Sequence, residues 1–88
     1  MENLNTLIED LKANAKSDWA IQEDMASMYI EDANDATVIL NFITDLRYDL
    51  AAVHLSNLDT SIREGIVIAA AKDMGNDWVR ENLGWDAQ

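Results

Sequence analysis

Apolar residues recur along this chain at the spacing of α-helices, and the polar clusters between them contain helix-capping residues. The first apolar stripe has the i, i+3, i+4, i+7 pattern of a single helical face and consists of Leu4, Leu7, Ile8, Leu11 and Ala15. This narrow stripe predicts a first helix over residues 5–15, on the outside of a bundle. Ser17 is a favourable N-cap for a second helix, whose apolar face begins at Trp19 and reaches Ala33.

A further apolar stripe predicts one uninterrupted third helix, which Asn34 or Asp35 caps and which extends to Leu55. The stripe keeps to one face for about five turns, and its members are Ala36, Ile39, Phe42, Ile43, Leu46, Leu50 and Val53. Residues 37–40 are rich in β-branched and apolar side chains, which strands favour. A strand there, paired with residues 28–30, is therefore the structural alternative to the helix.

The remaining sequence predicts a buried helix and a short terminal one. Asp59 or Thr60 begins the fourth helix, and its middle contains no charged residue. A helix without a polar face is normally the buried one, so residues 61–74 are expected to form a central apolar helix. A fifth helix over residues 78–83 ends at Gly84. The sequence thus predicts an all-α fold, a small bundle of about five helices in a single domain over residues 1–88.

Charge excludes several functions. The 88 residues include 17 Asp and Glu but only six Lys and Arg, which gives a net charge of -11. Direct binding to nucleic acid or to an anionic membrane requires positive charge, so neither is expected. The uncharged stretches are too short to span a bilayer, which takes about 20 residues. The acidic N-terminus lacks the basic segment of a secretory signal, and we expect a cytoplasmic protein.

The residue types that support catalysis and metal binding are scarce. The chain has no Cys and one His, which excludes disulfides and zinc fingers. A calcium loop that begins at Asp32 has an oxygen ligand at its third position, Asn34, but fails at its fifth, sixth and twelfth positions, which are Ala36, Thr37 and Ile43. Nothing supplies a nucleophile, a base and an oxyanion donor together. We expect no metal, no cofactor and no enzymatic activity.

The placement of the acidic residues suggests a binding surface. No basic residue lies between Lys16 and Arg47, and carboxylates fixed along a helix present a negative surface to solvent. Trp85, three residues from the C-terminus, could anchor a partner or fold back onto its own helix. The candidate partner-binding residues are Glu23, Asp24, Glu31, Asp32, Asp35, Asp45, Asp49 and Trp85.

Two functions fit this pattern. The first is a non-enzymatic inhibitor that mimics nucleic acid and binds the basic surface of a nucleic-acid-binding protein. Phage-encoded anti-restriction and anti-CRISPR proteins offer an analogy of size, charge and fold class. The second is a helical interaction or assembly module that acts as a homodimer or a subunit, with Val38, Leu40 and Ile68 as interface residues. In the second case the carboxylates only keep the protein in solution.

Overall fold

The computed structural model describes residues 1–18 and 23–87, which form five α-helices within an envelope of 41 × 25 × 23 Å. The helices are α1 (Glu2–Asp18), α2 (Glu23–Thr44), α3 (Tyr48–Ser56), α4 (Thr60–Met74) and α5 (Asn76–Leu83). Residues 37–40 lie within α2, and no strand occurs in the described residues. The all-α prediction is therefore confirmed and the strand alternative is wrong. Among these residues, no helix has both the length and the apolar composition needed to cross a bilayer.

The boundary between the first two helices differs from the prediction. Ser17 lies in the last turn of α1 and does not cap a second helix. Trp19, predicted to begin the apolar face of that helix, lies outside the described residues. The apolar stripe of the first helix is confirmed, because Leu4, Ile8, Leu11 and Ala15 are all buried.

Asn34 and Asp35 do not cap a third helix, because α2 continues through both of them. Ala33 and Ala36 on either side are buried in the core. Burial of these alanines in the core outweighs the weak helix preference of Asn and Asp. The second helix is thus a longer element than predicted, and it packs against both α1 and α3.

The predicted helix over residues 36–55 is instead broken where α2 ends. The backbone N–H of Leu46 donates to the carbonyl of Ile43 at 3.1 Å, and the N–H of Arg47 donates to the carbonyl of Phe42 at 2.8 Å. These two bonds form a Schellman motif, which ends a helix with a left-handed residue. That residue is Leu46, whose φ is 61°.

The break divides the predicted apolar stripe into a buried half and an exposed half. Ile39 and Ile43 are buried in α2, but Leu46, Leu50 and Val53 are 71%, 36% and 60% exposed. The turn rotates α3 so that a different face, containing Ala51 and Leu55, enters the core. The expectation that one continuous face is buried to the end of the third helix is therefore wrong.

One hydrophobic core joins all five helices, and α4 contributes much of it. Its buried residues are Ile62, Ile66, Val67, Ala69 and Ala70. It packs against both α1 and α5. Ile68, in its uncharged middle, is nevertheless 45% exposed, so this apolar helix leaves one face open to solvent.

Asp73 of α4 fixes the start of α1 from a distance of about 70 positions in the sequence. Its carboxylate accepts hydrogen bonds from the backbone N–H of Asn3 at 2.7 Å and of Leu4 at 2.9 Å. Burial alone would raise the pKa of the Asp73 carboxyl, but these bonds, the Asn3 side chain and the N-terminal ammonium outweigh it and lower the pKa. Asp73 thus satisfies N–H groups that the first turn of a helix leaves without partners.

Replacing Leu46 by glycine is expected to raise the free energy of unfolding by about 1 kcal/mol. Glycine adopts a positive φ without the Cβ clash that leucine suffers, and the deleted side chain is mostly exposed. Urea denaturation measures the change. The matched control is Gly84→Leu at the end of α5, where φ is 76°, and this variant should lose a similar amount. A loss of stability in Leu46→Gly would contradict the account.

Replacing Asp73 by alanine is expected to lower the free energy of unfolding at pH 7 by about 2 kcal/mol, because hydrogen bonds to a charged acceptor are lost. The pKa of Asp73 is lower in the folded state. The contribution of Asp73 to stability is therefore complete above the pKa that this carboxyl has in the unfolded chain, and it disappears as the pH falls through its lower pKa in the folded protein. Thermal unfolding from pH 7 down to pH 2 should show the two proteins converging. Asp10→Ala, at an exposed position of α1, is the control for removing one charge and should change little.

Candidate partner-binding surface

The outward face of α2 contains three exposed carboxylates, those of Glu23, Asp24 and Glu31. Asp24 and Glu31 are seven residues apart, which corresponds to a rise of about 10 Å along a helix. Within the described part of the chain, no Lys or Arg nitrogen lies within 4.0 Å of any of the three. The helix therefore presents these negative charges to solvent, and no Lys or Arg of the described chain pairs with them.

Asp35, unlike these three residues, has a partner within the fold, because its carboxylate contacts a side chain of α3. Its Oδ1 lies 3.2 Å from Nε2 of His54, and both side chains are about one-quarter to one-third exposed. The contact is an ion pair when the imidazole is protonated. Asp35 therefore connects α2 to α3 within the fold, and its charge is partly engaged there.

Asp32 lies on the half-buried side of α2, close to other carboxylates. Burial raises the pKa of the Asp32 carboxyl, and the negative charges of Asp35, Glu31 and Asp59 raise it further. Asp59 precedes the first turn of α4, so the fold brings it close to α2 although 27 positions separate Asp59 from Asp32 in the sequence. The result is a region of concentrated negative potential where α2 meets the loop between α3 and α4.

Asp45 and Asp49 lie at the other end of α3. Asp45 is exposed in the turn after α2, at a position predicted to be helical. Asp49 is in the first turn of α3 and pairs with Arg47 at 3.5 Å. A hydrogen bond from Arg47 and another from the backbone N–H of Leu50 lower the pKa of the Asp49 carboxyl. Both carboxylates face solvent, but that of Asp49 is partly balanced by its neighbour.

Trp85 folds back onto the bundle and is half-buried against the core. The guanidinium of Arg63 lies 4.2 Å from the centroid of its ring, a cation–π contact. Together they line a cavity of about 230 Å³ between α4 and the C-terminal residues. None of the candidate carboxylates lines this cavity, so the structure separates Trp85 from the acidic surface.

No arrangement in the described residues is suited to metal binding. Over residues 1–18 and 23–87, no group of three or more His, Cys, Asp or Glu side chains is placed to hold an ion. Comparison of the chain with protein-family models, curated proteins and solved structures finds no match.

Two features of this surface were not predicted from the sequence. The charge of Asp59 acts on Asp32 because of the path that α3 and α4 take, which local pattern does not show. Leu46, Leu50 and Val53 were predicted to lie on the buried stripe, but they are exposed. Asn41, Thr44 and Asp45 are weak helix formers that lie beside the apolar stripe, and they were the local signal that a helix ends there.

Replacing Asp32 by asparagine is expected to stabilise the folded protein at pH 7. The raised pKa means that the folded state disfavours the charged form of Asp32. Stability from this group therefore increases as the pH falls and the carboxylate protonates, so the advantage of Asp32→Asn should shrink between pH 7 and pH 3. Urea denaturation at several pH values measures this trend. Asp24→Asn, on the exposed face, is the control, and an equal gain from both would contradict the assignment.

Proposed function

We propose that this protein is a non-enzymatic inhibitor whose acidic surface binds the basic, nucleic-acid-binding surface of another protein. The observation that supports this most is the row of exposed carboxylates on α2, Glu23, Asp24 and Glu31, which have no cation within 4.0 Å in the described residues. Their charges are available to a partner. The protein does not need to break internal ion pairs to use them.

The mechanism is electrostatic competition with nucleic acid. Carboxylates on α2 occupy the positions of phosphates and attract the partner's Lys and Arg side chains. Binding displaces the counterions that surround both surfaces, so affinity falls as salt rises. Because the carboxylates project from a formed helix, little backbone entropy is lost when the partner binds.

The potential around Asp32 supports the same function. Burial and three neighbouring carboxylates disfavour the negative charge of Asp32 in the free protein. A cationic side chain that approaches this region lowers the repulsion among them. Part of the cost of crowding like charges in the folded protein is thus recovered when a basic partner binds.

The proposed partners are enzymes that hold DNA or RNA in a basic groove, such as those of restriction and CRISPR systems. Small size, strong negative charge and a helical fold support this class. Such a groove attracts polyanions without reading a sequence. An acidic protein that fills it excludes the nucleic acid by direct competition.

A homodimer or subunit function is the second candidate, and the exposure of Ile68 favours it. This side chain is 45% exposed on α4, whereas Val38 and Leu40, the other interface residues considered, are half-buried. Light scattering coupled to size-exclusion chromatography separates the two functions. A monomeric mass over a wide concentration range supports the inhibitor, and a dimeric mass supports assembly.

Neutralising the α2 row is expected to weaken binding about tenfold at low salt. The variant is Glu23→Gln with Asp24→Asn and Glu31→Gln. Partners captured from a lysate at low salt are eluted with double-stranded DNA and purified, and their affinities are measured by calorimetry at several salt concentrations.

The control removes the same amount of charge elsewhere, through Glu2→Gln, Glu64→Gln and Glu81→Gln at exposed positions of α1, α4 and α5. It should lose much less affinity than the α2 variant. Capture that is insensitive to both salt and DNA would exclude the proposed mechanism, as would equal losses in the two triple variants.

A further inference from the structure

Three exposed aliphatic side chains lie at the corner between α2 and α3. Leu46 in the turn is 71% exposed, and Leu50 and Val53 on α3 are 36% and 60% exposed. Leu50 and Val53 are three residues apart and therefore share one helix face. We refer to Leu46, Leu50 and Val53 as the corner patch. None of the three is among the residues that form or adjoin the hydrophobic core.

The backbone at Leu46 shows that folding alone does not account for the patch. Leu46 has the left-handed conformation, with φ of 61°, which costs a residue with a Cβ about 1–2 kcal/mol. At the end of α5 the same conformation is supplied by Gly84, with φ of 76°. The chain therefore uses glycine at one such position and an exposed leucine at the other. A strained and exposed apolar residue is a signal of function.

Carboxylates lie at both ends of the corner patch. Asp45 and Asp49 adjoin Leu46 and Leu50 in the sequence. At the far end of α3, His54 follows Val53 and bonds to Asp35 of α2. Asp35 is in turn one of the charges that raise the pKa of Asp32. Carboxylates thus adjoin the patch at both ends, where Arg47 pairs with Asp49 and His54 with Asp35.

We propose that the corner patch binds the apolar face of an amphipathic helix in the partner protein, with Lys and Arg beside that face. The apolar side chains of such a helix cover Leu46, Leu50 and Val53, and its cations meet the carboxylates at either end. This inference rests on the proposed function, and it adds a reason why the acidic surface binds one basic partner in preference to others. Charges accelerate association, while apolar contact slows dissociation and distinguishes this partner from other basic proteins.

A second copy of the chain is a poorer occupant. A two-fold dimer places the same surface of both copies face to face, so Asp45 and Asp49 of one copy would approach those of the other. Each copy also has a net charge of -11. Like charges set opposite each other oppose association, whereas a cationic helix turns the same carboxylates into favourable contacts.

The test uses two synthetic helical peptides of equal length and equal positive charge. One has leucine at helical spacing with lysine beside it, and the other has serine in place of each leucine. Calorimetry measures the binding of each peptide to the unmodified 88-residue protein. The leucine peptide should bind at least tenfold more tightly than the serine peptide.

The patch variant is Leu46→Gly with Val53→Ser, which removes the two most exposed side chains of the patch, and circular dichroism verifies that it remains folded. It should bind the leucine peptide about tenfold more weakly than the unmodified protein does, with its affinity for the serine peptide unchanged. The matched control is Ile68→Ser, which removes an exposed aliphatic side chain from α4 and should leave the affinities for both peptides unchanged.

Equal affinities for the two peptides, or equal effects of the patch variant and Ile68→Ser, would overturn the inference. In that case, salt-dependent binding of the serine peptide would leave the proposed acidic surface intact. Failure of the protein to bind either peptide would overturn both proposals. A concentration-dependent dimer that Leu46→Gly with Val53→Ser abolishes would show that a second copy covers the patch, and would also overturn the inference.

Discussion

Mutual repulsion among 17 carboxylates, opposed by only six Lys and Arg, is the constraint that organises this structure. The fold places some carboxylates where they contribute to stability. Asp73 binds N–H groups at the start of α1, and Asp77 and Asp86 both bind Arg80. The carboxylates that remain without such partners in the described chain include Glu23, Asp24 and Glu31 on the outward face of α2.

This distribution gives α2 two functions in the molecule. Its inner face packs against α1 and α3 and buries Ala26, Ala33, Ala36, Ile39 and Ile43. Its outer face presents Glu23, Asp24 and Glu31. Packing on the inner face holds α2 against its neighbours, and the helical backbone sets the spacing of the charges outside. The proposed electrostatic surface therefore depends on the same helix that supports the core.

The local pattern of apolar and capping residues correctly predicted those features that depend only on neighbouring residues in the sequence. The apolar stripe of α1 is buried as its spacing indicated, and Gly84 ends α5 in the left-handed conformation. The break after α2 was not predicted, because the apolar spacing continues through it and only the Schellman turn at Leu46 shows that the face rotates. Contacts over long separations, such as Asp35 with His54 and Asp73 with Asn3, depend on helix packing. The outward acids of α2 could be predicted from the sequence, but the exposed corner patch could not.

A residue-resolved NMR titration tests the central claim most directly. A short Lys- and Arg-rich peptide is added to the isotope-labelled protein at low salt, and the shift of every backbone amide is followed. The account predicts that the largest changes occur over residues 23–35 and 45–59, which contain the acidic face of α2 and the corner patch. Changes spread evenly over exposed carboxylates of α1, α4 and α5 would show that the negative charge serves solubility alone and would contradict the account.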